Sequence, residues 1–165
     1  AGPQSDAAGK RFDPPPAGQG AIYIYREGKT YLDQTSRFRM FVQPVKGERR
    51  RLGVLDEITW LRVDLPPGNY DAGCEGGDDI IQEYVVLEAG EFAFVKIGVY
   101  PGRWVVNCQT FSVPAAVGRE EVLRGKRVQE LRLALSALGQ AQHALGDIAK
   151  DQLLADRCDA RDHDL

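Results

Sequence analysis

Histidine is nearly missing from this chain, with two copies in 165 residues, at positions 143 and 163. A Ser-His-Asp or Cys-His system would therefore need Cys158 or a distant serine brought to the C-terminal segment. The chain has no G-x-S-x-G, no H-E-x-x-H and no phosphate-cradling glycine loop. Long apolar runs are also absent, and nothing approaches the roughly 18 to 20 residues that a membrane-spanning helix needs. Neither sign of charge dominates: 21 basic and 24 acidic residues leave a net charge of −3. That excludes the basic stripe by which proteins displace counterions from nucleic-acid phosphates. An initiator methionine and a signal peptide are lacking too. The opening "AGPQSDAAGK" is small and polar, and it reads as a mature or trimmed product.

What is present is ordinary for one globular domain with appendages: 43% hydrophobic and 27% charged residues. Residues 1–19 hold Gly, Pro, Ala, Ser and Gln with a single aromatic, Phe12. They read as a disordered tether, stiffened by the extended conformation that Pro14-Pro15-Pro16 favours. From Ala21 the pattern turns strand-like. In "AIYIYRE", Ile22 and Ile24 point one way and Tyr23 and Tyr25 the other, so both faces of this strand are expected to be covered.

Further strands are expected at 38–45, 50–55, 58–65, 69–75, 79–88, 91–100 and 103–113. The punctuation between them is turn chemistry: "LPPGNY", "EAGE" and "YPGR". This spacing predicts a mostly β protein, an antiparallel sandwich of about seven to eight strands over residues 20–115. Past Pro114 the residues become helix formers. Val128, Leu131, Leu135, Leu138, Leu145 and Ala149 make one apolar stripe, interrupted by Gln142, on a long amphipathic helix over 118–156. Gly125, Gly139 and Gly146 are points where it can break. The stripe either covers the sheet face bearing Tyr23 and Tyr25 or pairs with another helix, including one from a second copy. Residues 157–165 are expected to be a polar tail.

The lead-in, the strand "GAIYIYRE", the turn "LPPGNYDAG" and the segment "LEAGEFAFVKIGV" together resemble a bacterial lipoprotein family catalogued as a domain of unknown function. The resemblance covers about residues 19–100. It implies a small sandwich of the carboxypeptidase-regulatory or PEGA type, displayed from a membrane into the periplasm behind a lipid-modified cysteine that would precede this chain. In that picture the Pro run spaces the domain from the bilayer. The long helix lies outside the family pattern, and the family brings no catalytic residues.

Three cysteines, at 74, 108 and 158, allow three single pairings. Cys74 and Cys108 both fall in expected strands, so a Cys74–Cys108 bridge is favoured over two buried thiols. "CDARDHDL" sets Cys158 and His163 among acids but lacks the four spaced ligands of a structural zinc site. "GCEGGDD" offers Glu75, Asp78 and Asp79 to calcium, yet reads better as a hairpin turn. Arg49-Arg50-Arg51 reads as a solvated hairpin flank, and His143 as a solvated helix residue. No metal, cofactor or catalytic set is expected. Contact candidates are the segments 26–37 and 73–79, with Tyr31, Arg37 and Phe38 prominent, and the helix stripe of Leu131, Leu135, Leu138 and Leu145. The expectation is a non-catalytic binding or assembly module with a protein partner in the envelope. An inhibitor or immunity protein that blocks a toxin or wall-degrading enzyme through a protruding loop is the alternative.

Overall fold

The computed structural model describes residues 3–28, 36–76 and 79–128. The chain divides into two compact units, Ala1–Leu131 and Arg132–Leu165, and the second lies wholly outside the described residues. Over its described residues the first is a two-layer β structure with two short helices. In chain order it runs α1 (Pro3–Lys10), β1 (Gly20–Arg26), β2 (Phe38–Pro44), β3 (Arg50–Leu55), β4 (Thr59–Leu65) and β5 (Gly68–Gly76). Then come β6 (Asp79–Leu87), β7 (Phe92–Pro101), β8 (Val106–Val113), α2 (Ala115–Arg124) and β9 (Lys126–Arg127).

One sheet has the order β8-β7-β1-β4-β9 and the other β3-β2-β5-β6. The second is antiparallel throughout. The first is mixed, which corrects the expectation of a purely antiparallel sandwich: β1 pairs with β7 in parallel, and β4 with β9 likewise. Parallel neighbours need a long crossover. Between β1 and β7 that crossover is β4 and the whole second sheet.

The core between the sheets takes one side of each strand's alternation, including Ile22, Ile24, Met40, Leu52, Leu61 and Val95. Tyr70 enters it from β5, and its hydroxyl donates to the Pro66 carbonyl at 2.7 Å, which locks the "LPPGNY" turn. Cys74 of β5 and Cys108 of β8 are fully buried and disulfide-bonded, with their Cα atoms 6.4 Å apart. The bridge joins the two sheets.

β1 is buried along its whole length, because the outer face of its sheet is covered as well. A second cluster forms there from Tyr23, Tyr25, Trp60, Phe94 and Val122, with Phe12 and Phe92 against it. Two helices cover it, each bringing a glycine where a side chain would not fit. A Cβ on Gly9 of α1 would lie 2.0 Å from the Trp60 ring, and one on Gly118 of α2 would lie 2.3 Å from Phe94.

The tether expected over residues 1–19 is corrected here, since residues 3–19 fold onto the sheet. The Tyr23 hydroxyl donates to the Gly9 carbonyl at 2.9 Å, and Arg62 donates to the Asp13 carbonyl at 2.9 Å. The Arg127 N–H donates to Asp6, and Pro15 is buried. Composition underrated this segment because polar clasps hold it, along with the single ring of Phe12, whose centroid lies 5.3 Å from that of Tyr23.

A single helix over 118–156 is corrected as well. α2 starts earlier, at Ala115, and stops at Gly125. The backbone then leaves the helix because Lys126 N–H bonds to Ile58 O at 2.8 Å and Val128 N–H to Trp60 O at 2.7 Å. Pairing with β4 outweighs local helix propensity. Val128, expected on the helix stripe, packs against the inter-sheet core instead.

An ionic cluster seats α2. Tyr25 donates to Glu121, and Lys96 bridges Glu121 at 2.9 Å and Glu27. Burial, and then the Glu121 carboxylate, push the Tyr25 phenol far above its ordinary value of 10.0. Burial opposes the Lys96 ammonium, but Glu27 and Glu121 outweigh it and hold its pKa above the usual lysine value. Both folded-state values are raised, so this stability is complete below the unfolded pKa values and declines as pH climbs past them. Unfolding free energy is expected to fall beyond about pH 10, by up to about 1.4 kcal/mol per pH unit for each such group, and melting temperature measured from pH 8 upward should fall with it. A melting temperature unchanged across that range would refute this role for the cluster.

Candidate contact surface

The β7–β8 hairpin overshoots its sheet. The last β1–β7 pair is Arg26 with Ile97, and along residues 98–101 the ladder of β7 continues with β8 alone, while Val99 and Val106 still pack against the inter-sheet core. At about 3.3 Å per residue the hairpin projects about 13 Å past β1. Its tip closes through a Gly102 N–H bond to Val105 O at 2.9 Å. There the Trp104 ring is 82% exposed, with the Arg103 guanidinium 5.6 Å from its centroid and Val105 beside it, 41% exposed. The tip is braced from below, since Cys108 pairs with Val99 and carries the disulfide to Cys74.

Trp104 is what the sequence reading missed. It fell inside an expected strand at 103–113, whereas β8 begins at Val106. The signal was available in "YPGRW", because a turn recognised at Pro101-Gly102 leaves the next residues at the tip, not in the ladder.

A second exposed apolar surface lies on β6, the edge strand of the four-stranded sheet. Ile80, Tyr84 and Val86 point outward in alternation, at 55%, 56% and 58% exposure. Cys74 pairs with Ile81 in the ladder and is bonded to Cys108, so the hairpin tip lies toward the Ile80 end of this row.

Of the residues expected at a contact surface, Arg37 and Phe38 are among the described ones, and they part company. Arg37 is exposed and pairs with Asp56 at 2.8 Å, on the lip of an open cleft of about 480 Å³ also lined by Arg39, Val54, Glu75 and Gly76. Phe38 turns inward and is 3% exposed, so it belongs to the core. Tyr31, Asp78, His143, Cys158, His163 and the stripe of Leu131, Leu135, Leu138 and Leu145 lie outside the described residues. In the segment 73–79, residues up to Gly76 are strand, not loop.

Glu75, weighed as a calcium ligand, is occupied by Arg49 at 3.1 Å and Arg51 at 3.5 Å. Arg49 is more than a solvated flank. Its guanidinium lies 4.0 Å from the Phe41 ring centroid and also donates to Gln43, roofing an aromatic side chain that is fully buried on the outer face.

No family model matches this chain, and no curated protein is significantly similar to it.

Proposed function

We propose that this chain is a non-catalytic protein-binding module of the bacterial envelope, and that the β7–β8 hairpin tip is its anchor. One observation carries the proposal: a tryptophan 82% exposed on a rigid, disulfide-braced projection. A large aromatic ring held in water on a stiff support loses little conformational freedom when it enters a partner's pocket, and such residues dominate binding energies. The buried disulfide supports an oxidising compartment such as the periplasm. The motifs at 20–27 and 65–73 support attachment through a lipid upstream of this chain, as in the lipoprotein family they resemble. Any spacer to that lipid would precede residue 3, since the Pro run is folded against the sheet.

The test is a crosslinked pull-down from envelope extract with the wild-type chain and Trp104→Ala as parallel baits, and Val45→Ala as an exposed control. The expected result is one specific partner, retained by the control and weakened about 30-fold or more by Trp104→Ala, as for a central hot-spot residue. Recovery of the same proteins by all three baits would remove the tip from the contact. The projecting shape also favours the inhibitor reading. A recovered enzyme whose activity falls in one-to-one proportion to added chain would select it over an assembly role.

A further inference from the structure

We infer that copies of this chain associate head to tail, with edge strand β6 of one copy lying against edge strand β3 of the next. These are the two ends of the four-stranded sheet. Successive strands in that sheet alternate in direction, so β3 and β6 run oppositely and a translated copy extends an antiparallel ladder without reversal. The edges are opposite in charge. β3 is "RRLGVL", preceded by Arg49, and contains no acid; β6 is "DIIQEYVVL" and contains no base.

Edge charges normally prevent strands from adding to a sheet. Here their signs exclude like-with-like pairing and permit the unlike pair. Two β6 edges would bring Glu83 toward Glu83, and two β3 edges would bring Arg50 and Arg51 toward their own copies. One β6 against one β3 brings acid to base. The faces also agree. Glu83 is opposite core residue Ala72, and Arg50 is opposite core residue Val42, so both lie on the core side of the sheet. Side chains directly opposite each other in an antiparallel pair share a face and can interact.

With Arg50 opposite Glu83, the exposed Arg51 falls opposite Gln82 and diagonal to the Tyr84 ring on the outer face. Glu83 has no ion-pair partner among the described residues, so this contact displaces none described for it. A contact of one strand pair is small, which predicts weak association that salt weakens further. Because the two patches differ, the series stays open and does not stop at a dimer.

Sedimentation velocity of the full chain at rising concentration tests this, with Glu83→Arg and Arg50→Glu measured separately and mixed. The wild type is expected to form a ladder of species beyond the dimer. Each single variant is expected to lose association at least about tenfold. The equimolar mixture is expected to recover it, because each variant then meets its complement at both edges. That recovery also shows that both variants are folded. Trp104→Ala is expected to assemble like the wild type, which keeps this contact separate from the hairpin anchor. A wild-type chain that stays monomeric at millimolar concentration would overturn the inference. So would association that ignores both reversals, or a mixture that fails to recover.

Discussion

A chain lacking residues 1–13 is expected to lose about 3 to 7 kcal/mol of unfolding free energy. Phe12 contacts Tyr23 and Phe94, and removing it returns both its own surface and part of the aromatic cluster to water. Burial of one such ring is worth about 1.5 to 3 kcal/mol. The hydrogen bonds from Tyr23 to Gly9, Arg62 to Asp13 and Arg127 to Asp6 go with it. Each contributes about 0.5 to 1.5 kcal/mol, and the groups left behind are partly buried. Chemical denaturation of the truncated and full chains measures the difference directly. A structureless tether predicts no change at all, so equal midpoints and slopes would restore that reading.

Removing the inter-sheet disulfide, by Cys74→Ala with Cys108→Ala, is expected to cost a comparable amount. The bridge closes a loop with a sequence separation of 34, for which the chain-entropy relation gives about 3.8 kcal/mol. Both positions are fully buried, so the missing sulfurs add a packing loss. The midpoint of thermal unfolding is expected to fall by about 10 to 20 °C. Reduction of the wild-type chain should reproduce most of that fall. It should also loosen the support under Trp104, so partner binding is expected to weaken along with stability. A melting temperature that stays put after verified reduction would mean that the two sheets do not depend on this link.

These two experiments bear on opposite successes of sequence reading. Cys74 and Cys108 could be paired in advance because both sit in recognisable strands of one domain, and the fold places those strands in facing sheets. The N-terminal helix could not be foreseen. "PQSDAAGK" has no apolar stripe, and its place is set by partners far along the chain: Trp60, Tyr23 and Arg127. The end of α2 is a similar case. Nothing near Gly125 forbids a longer helix as firmly as the β4 edge attracts Lys126 and Val128. For the contact surface, the turn at Pro101-Gly102 was legible, but the overshoot that exposes Trp104 depends on where β1 stops.

By itself, the sequence determined the first eight strands to within about three residues at each end, but not β9, since alternation of side chains and the turn residues between them act over a few positions. It also determined that β1 is covered on both faces, because Tyr23 and Tyr25 oppose Ile22 and Ile24. Only the tertiary structure decided which strands are neighbours, that β1 and β7 run in parallel, and which segments cover the aromatic face. It alone decided which apolar side chains remain in water. These outcomes depend on pairings and burial between residues distant in sequence, and a local pattern is compatible with many such arrangements.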